Sequence, residues 1–330
     1  MLREQVEVEG YENVYRYIDE GFHAFIAIHS TRLGPALGGC RIHQYNTDDD
    51  ALTDALRLSK GMTLKNSAAG LWYGGGKCVV NAPAATRDIM LKVGEIVEEL
   101  GGTYITGEDV GTTVADITIA SEKTAHVLSL GAAGDPSPWT ALGVFECIKA
   151  VRKLQYLSNT KLNVWVQGLG KVGWDLAHRL SNHGYHVYVS DIIDDRVRDA
   201  QEQFGARRYI AENDAFDIDI YAPCALGGVI NADNVNSIVF PIICGSANNQ
   251  LADDSLAEVL NERDILYCPD YIVNAGGVIA AAAELTGYEF NKVLDDVTAR
   301  GEVLLNTIRI GETAGKSPLW GAEFLAHLRL

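Results

Sequence analysis

The feature that most constrains this chain is the hexapeptide GLGKVG at residues 168–173, set between two segments of different period. Residues 163–167, NVWVQ, alternate as a strand does, and 171–182 carry apolar residues at helical spacing. A strand that turns through glycines straight into a helix leaves the first helical N–H groups and the positive dipole end facing outward, which suits a pyrophosphate. Gly168 permits the tight turn, Gly170 lets backbone approach the phosphates, and Gly173 lets helix and strand pack closely. Leu169, Lys171 and Val172 complete the loop. Asp191 closes the next strand, 186–190, where a carboxylate accepts hydrogen bonds from an adenosine ribose. It would repel a 2′-phosphate, which favours NAD over NADP as cofactor. Arg196, just beyond Ile192, tempers that preference.

The pattern continues on the same theme. Residues 195–204 read as a helix with Val197, Ala200 and Phe204 inward and Gly205 as its stop. Strands are expected at 218–222, 238–244 and 265–268, and helices at 276–286 and 291–309. Such alternation specifies a doubly wound parallel sheet. The first half is different. Strands are expected at 23–29, 38–45, 78–82 and 103–106, and Thr47 with Asp50 forms a helix capping box. The helix that follows aligns Leu52, Ala55, Leu56, Ser59 and Met62 along one side and ends near Lys65. GAAGDPSP at 131–138 reads as a hinge, with a helix at 141–154 beyond it. At 330 residues the chain is long for a single core. The expectation is therefore an α/β protein of two domains. An N-terminal mixed-sheet catalytic domain takes 1–134 plus about 310–330, and a Rossmann-type, doubly wound parallel-sheet NAD domain takes 135–309.

Charge narrows the partners. The chain carries 44 acidic and 27 basic residues, a net charge of −17. Phosphate backbones and anionic lipid are repelled, so neither nucleic acid nor a membrane is an expected partner. No apolar run reaches membrane-spanning length, and the first residues do not read as a secretory signal. Six cysteines, Cys40, Cys78, Cys147, Cys224, Cys244 and Cys268, are scattered without a C-x-x-C, as reduced thiols of a cytoplasmic protein would be. His178, His183 and His186 offer no metal-ligand set, and no metal is expected.

The other chemistry-bearing stretch is SKGMTLKNSAAGLWYGGGKCVV, 59–80. It is not a Walker loop: the first glycine is misplaced, and Cys78 stands where Ser or Thr would hold magnesium. Two lysines remain, Lys65 and Lys77, beside glycine-rich backbone. Most lysines are solvated, yet Lys77 sits between three glycines and an apolar run. A lysine drawn into a closed cleft loses proton affinity and can act as a base. Asp109, in TGEDVGTT, is the carboxylate to pair with it, or else simply a helix N-cap.

Eight strings occur in order along almost the whole chain: LGPALGG (33–39), ALRLSKGMTLKN (55–66), GGGK (74–77), TGEDVGTT (106–113), QGLGKVG (167–173), APCALGG (222–228), GSANNQ (245–250) and PDYIVNAGG (269–277). Together they resemble the glutamate, leucine, phenylalanine and valine dehydrogenases, with the nearest likeness to leucine dehydrogenase. The resemblance implies oxidative deamination of an L-amino acid, with the α-hydrogen passing as hydride to NAD, water yielding the 2-oxo acid and ammonia, and the reverse amination. It implies that Lys65 holds the substrate carboxylate, Lys77 activates water, and Asp109 handles protons at the amino group. It further implies that Asn248 contacts substrate and cofactor, that Gly38, Gly39 and Met62 shape the substrate site, and that Thr140 and Asn274 lie at the nicotinamide end. Ala225 and Leu226 would lie near the adenosine. Closure across the hinge would assemble the site, and a homo-oligomer is implied, dimer and octamer both open.

In relatives that act on glutamate, a lysine and a serine read the side-chain carboxylate; Leu37 and Ala281 stand at the matching positions. A γ-carboxylate buried there would lack a partner, so glutamate is disfavoured. Val278 adds an apolar wall, and a leucine- or valine-type side chain is expected. Ala281 is smaller than the valine of leucine dehydrogenases, which keeps phenylalanine or tryptophan open. Trp72, Tyr73 and Trp139 depart from the family pattern, as core or interface packing or as cleft lining. Two readings compete: a 2-hydroxy-acid dehydrogenase, which would want a histidine base and an arginine clamp although no histidine here sits in a suggestive block, and a non-catalytic NAD-binding regulator, which the intact Lys65, Lys77 and Asp109 disfavour.

Overall fold

A computed structural model describes residues 1–128, 131, 134–154 and 161–330. The chain divides into two compact units: Met1–Gly134 with Ala281–Tyr288 and Ala326–Leu330, and Asp135–Ala280 with Glu289–Leu325. Of the expected hinge at 131–138, residues 132 and 133 lie outside the described residues.

The first unit contains β1 (Leu2–Gln5), β2 (Asn13–Asp19), β3 (Phe22–Ser30), β4 (Ala36–Leu37), β5 (Cys40–His43), α1 (Asp48–Ala68), β6 (Gly74–Asn81), α2 (Arg87–Glu99), β7 (Tyr104–Ile105) and α3 (Val114–Ala120). The strands form one mixed sheet in the order β1-β2-β3-β6-β4-β7, with β5 also paired to β6. β6 is the central strand, antiparallel to β3 and parallel to β4 and β5. Of the segment expected as a strand over 38–45, only Cys40–His43 is one, with Gly38 and Gly39 parting it from β4, and β6 begins at Gly74, four residues before the apolar run starts. Glycine lowers strand propensity, so the strand is hidden in sequence; tertiary pairing overrides that preference.

α1 opens on the expected capping box, Thr47 with Asp50. Of the expected stripe Ala55 and Ser59 are buried, joined by Ala51 and Thr63, while Leu52, Leu56 and Met62 are half-buried at the flanks. Small side chains let the helix approach β6 closely, and Val79 meets Ala51 and Ala55 in one apolar cluster with Phe25 and Ala27. Because alternate residues share a sheet face, Lys77 lies on the Val79 side, the face covered by α1. Cys78 and Cys40 lie on the other face, in a core with Met90, Val93 and Tyr104.

The second unit contains α4 (Ser137–Val151), β8 (Asn163–Gln167), α5 (Lys171–Asn182), β9 (His186–Ser190), α6 (Asp194–Phe204), β10 (Arg207–Arg208), α7 (Ala211–Asp214), β11 (Ile220–Pro223), β12 (Ile242–Ile243), α8 (Leu256–Glu262), β13 (Leu266–Tyr267) and α9 (Asp270–Val273). α10 (Gly276–Thr286) follows, then α11 (Phe290–Thr298), α12 (Arg300–Ala314) and α13 (Pro318–Arg329). The sheet is parallel in every pairing, in the order β10-β9-β8-β11-β12-β13. Strand order reverses between β8 and β11, the switch point where ligands bind in folds of this class. The helix expected over 291–309 is α11 and α12, broken at Ala299. The segment 310–330, expected with the first domain, stays with the second unit up to Leu325. Ser317 donates to the Glu258 carboxylate from its backbone N–H and its hydroxyl, at 3.1 and 2.8 Å, and Leu319 packs with Leu256 and Leu260. These contacts tie the start of α13 to α8.

Candidate active site

In the first unit, β6 delivers Lys77 to the sheet face under α1 with only 4% exposure. Its Nζ lies 3.1 Å from Oδ2 of Asp109. The 107–112 loop runs beside β5, with the Cys40 N–H donating to Gly107 O at 2.8 Å and the Ile42 N–H to Val110 O at 3.0 Å. Thr112 fastens it: its hydroxyl donates to Cys40 O at 2.9 Å and accepts from the Asp109 N–H at 2.9 Å. Gly39 makes this approach possible, since a Cβ there would stand 2.5 Å from Glu108 O and 2.9 Å from Asp109 Cβ. Asp109 is thus a loop carboxylate aimed at Lys77 rather than a helix N-cap; α3 is capped by Thr113.

A second cation holds Asp109, and the sequence did not point to it. Arg41 Nε donates to the same Oδ2 at 2.8 Å, while Arg41 NH1 reaches Asp54 Oδ2 of α1 at 2.9 Å. Asp54 is held in turn by the Tyr45 hydroxyl at 2.6 Å and by Arg57 at 3.1 Å. Burial works to raise the Asp109 pKa, but the Lys77 ammonium and the Arg41 guanidinium outweigh it and hold the carboxyl below its usual value. An open cavity of about 520 Å³, lined by Arg41, His43, Tyr45, Asp54, Arg57 and Val110 among others, backs onto this arrangement from the Asp54 side. The signal available in sequence was only that Arg41 follows the glycine pair in GGCR; its ion partners are remote along the chain.

Of the other expected residues, Leu37, Gly38, Met62 and Lys65 lie on or beside β4 and α1, while Val278 and Ala281 are on α10, Val278 in the second unit and Ala281 in the first. Leu37 on β4 is fully buried and pairs with Gly75 and Ile105. Gly38 O accepts the Tyr104 hydroxyl at 2.7 Å, and Met62 lies against Gly38. Lys65 is half-buried in the last turn of α1. Next to it, Asn66 donates to Gly74 O at 2.6 Å and to Leu37 O at 3.3 Å, bracing α1 on β6 and β4. Val278 and Ala281, three residues apart on α10, are both half-buried and share a helix face. Trp72 is 74% exposed with the Arg329 guanidinium 5.3 Å from its ring centre, and Tyr73 is half-buried.

In the second unit, Gly168 has φ +96° and Gly173 packs so closely that a Cβ there would meet Gly168 O at 1.9 Å, so both glycines are required by geometry. Leu169 is buried, Val172 half-buried, and Lys171 is exposed and paired with Asp135 at 2.9 Å. No side chain caps α5 at Gly170, and a Cβ on Gly170 would meet nothing within 4 Å. The helix start therefore presents open backbone of the kind a pyrophosphate needs. Asp191 accepts from the Leu169 N–H at 2.6 Å and the Ile193 N–H at 2.8 Å, with Arg196 at 3.6 Å. Burial opposes its ionisation, but those amides and Arg196 hold its pKa down. It clasps the glycine loop to the end of β9; Ile192 beside it is fully exposed. Ala225 packs on Gly168, and Leu226 is 79% exposed. Asn274 donates to Asn248 Oδ1 at 2.9 Å and to Ser246 O at 3.1 Å, while its own Oδ1 is buried without a partner. Thr140, on the first turn of α4, lies against Gly277. The set thus collects at the carboxyl ends of β8, β9, β11 and β12. Trp139 is buried, with the ring of the exposed Phe290 packed on it, ring centres 5.4 Å apart.

Known proteins match this arrangement. Residues 13–126 match the family described as "Glu/Leu/Phe/Val dehydrogenase, dimerisation domain", and 192–299 match "Glutamate/Leucine/Phenylalanine/Valine dehydrogenase". Leucine dehydrogenase of Bacillus cereus is 40% identical, the match covering 99% of this chain and 93% of that protein. Valine dehydrogenase of Streptomyces coelicolor is 39% identical over 97% and 92% of the two chains. Among solved structures, L-tryptophan dehydrogenase from Nostoc punctiforme superposes with a TM-score of 0.85 at 38% identity, covering 97% of this chain and 95% of that one. Members of the family are dehydrogenases that use a nicotinamide cofactor. The chain belongs to the Glu/Leu/Phe/Val dehydrogenase family and is an amino-acid dehydrogenase.

Proposed function

We propose that the chain catalyses NAD-dependent oxidative deamination of a hydrophobic L-amino acid, and the reverse reductive amination. The observation that carries this reading is the buried Lys77 with its Nζ 3.1 Å from Asp109. An ammonium and a carboxylate so close, buried beside glycine-rich backbone, can take and return protons at a substrate held against them.

The reaction requires four tasks of these residues. Lys65 binds the substrate α-carboxylate as a fixed cation. Asp109 takes a proton from the substrate ammonium, leaving the amine whose lone pair assists loss of the α-hydrogen. The nicotinamide cofactor, when bound, supplies the hydride acceptor. Lys77, having passed a proton on, accepts one from the water that attacks the imino carbon, and Asp109 returns a proton to the departing ammonia. The products are the 2-oxo acid, ammonium and the reduced cofactor, with one proton released. The open N-terminus of α5 receives the pyrophosphate. Asp191 favours NAD because a 2′-phosphate would face a carboxylate that its surroundings keep ionised.

Leu37 stands where glutamate-specific relatives carry a lysine, so a γ-carboxylate would lack that cation, which supports aliphatic substrates of the leucine and valine type. A second reading, an aromatic L-amino acid, is favoured by Ala281, a small half-buried residue on the same helix face as Val278. We further propose a cytoplasmic homo-oligomer. All six cysteines are free thiols, no helix among the described residues is long and apolar enough to cross a membrane, and the match at 13–126 carries the description of a dimerisation domain.

A panel of L-amino acids offered with NAD or NADP, followed by absorbance of the reduced cofactor, tests the reading. Turnover of aliphatic substrates with NAD is expected, and none with glutamate. Absence of turnover with every amino acid refutes it.

A further inference from the structure

We propose that Arg41 is a positioning residue for the reaction, a clamp that fixes the Asp109 carboxylate beside Lys77 and stands between that carboxylate and the open cavity behind it. The role rests on the deamination reading given above.

Geometry carries the inference. Arg41 spans two carboxylates through different nitrogens, Nε to Asp109 at 2.8 Å and NH1 to Asp54 at 2.9 Å. The planar guanidinium makes the two bonds mutually constraining, which a lysine ammonium cannot reproduce. Its anchor is itself fixed, because Asp54 sits on α1 and accepts from Tyr45 and Arg57. The Asp109 end is a loop residue, where a catalytic carboxylate has the least inherent positional definition. Both cations meet one oxygen, Oδ2, so Oδ1 remains directed elsewhere for the substrate ammonium. Arg41 lines the cavity shared with Asp54 and Arg57, whereas Asp109 does not. The guanidinium therefore stands between solvent on that side and the carboxylate.

Charge gives the second half. The groups that face Asp109 are Lys77 from β6 and Arg41 from β5; the Cys40 thiol adjoins them on β5, and Asp54, Arg57 and Tyr45 lie behind Arg41. Without Arg41, Asp109 would have Lys77 as its one adjoining cation among these groups. The acidic limb of deamination reports the Asp109–Lys77 pair, which must have given up protons to work; without the neighbouring Arg41 charge the pair holds its protons to higher pH, and low-pH activity is lost.

The test compares wild type, Arg41→Gln and Arg41→Lys as full-length proteins, with the amino acid and cofactor that the wild type turns over. In Arg41→Gln, kcat should fall about tenfold or more through lost positioning. The acidic limb of its pH profile should move up by about one unit through the lost charge. Arg41→Lys should return the limb toward wild type while kcat stays low, because charge is restored and the two-pronged geometry is not. NAD affinity, read by quenching of protein fluorescence, should stay the same in both. If Arg41→Gln does not fold, Arg41→Lys decides alone: a low kcat with a near-wild-type limb supports the clamp, and a wild-type kcat overturns it. An unmoved limb in a folded Arg41→Gln also overturns it. A wild-type chain with no turnover would instead refute the deamination reading on which the clamp depends.

Discussion

Replacing Gly39 by alanine tests whether the position of Asp109 matters as much as its chemistry. The new methyl would lie 2.5 Å from Glu108 O and 2.9 Å from Asp109 Cβ, against an ordinary contact of about 3.4 Å or more. Backbone oxygen cannot rotate away, so the 107–112 loop must retreat by about 1 Å, a displacement that in a preorganised site costs about a hundredfold in rate. That corresponds to about 2.7 kcal/mol of transition-state stabilisation. The Thr112 hydroxyl's bond to Cys40 O on β5 would lengthen with it, adding about 1 kcal/mol of lost stability. The assay is steady-state formation of reduced cofactor, with unfolding in urea measured alongside. Since Gly39 is far in sequence from the 168–173 loop, NAD binding should be unchanged. A Gly39→Ala protein with wild-type kcat would refute the reasoning that this glycine sets the place of the catalytic carboxylate.

Other outcomes follow from the same geometry. Asp191→Ala removes the acceptor of the Leu169 and Ile193 amides; it should weaken NAD binding and narrow the preference over NADP, both read from cofactor titrations. Leu37→Lys combined with Ala281→Ser should admit glutamate as a substrate, measured as new turnover with that amino acid. Asp109 is held below its usual pKa in the folded state. Its ionisation therefore stabilises the fold above the unfolded value near 3.9, and this contribution is lost as pH falls through the lower native value. Urea midpoints between about pH 5 and pH 2.5 should fall for the wild type and fall less steeply for Asp109→Asn, in which the titrating group is absent.

Local patterns were read well where local chemistry decides them. β8, α5 and β9 form at 163–167, 171–182 and 186–190 as expected, because a strand, a glycine turn and an amphipathic helix each carry their own period. Thr47 and Asp50 cap α1 for the same reason: the bonding groups are three residues apart. Gly205 ends α6 in the left-handed region. What escaped was set by distance along the chain. The Arg41 contacts to Asp54 and Asp109 join β5 to a helix and a loop, and no spacing rule connects them. β6 runs through three glycines that read as a loop, yet strands on both sides impose extended pairing. On α1 the expected Ala55 and Ser59 are buried, but close packing on β6 adds Ala51 and Thr63 and leaves the larger Leu52, Leu56 and Met62 half-buried. β1, β2, α2 and α3 were not anticipated; β1 is exposed at every position and carries no apolar signal.

The most direct test of the central claim, that Lys77 is the group that activates water, is turnover by Lys77→Ala with cofactor binding measured on the same preparation. Lys77 is 4% exposed and is not part of the glycine-rich cofactor loop. The account predicts a loss of about a thousandfold in kcat, the scale of general base catalysis, with NAD affinity unchanged. Near-wild-type turnover by a folded Lys77→Ala protein would contradict it.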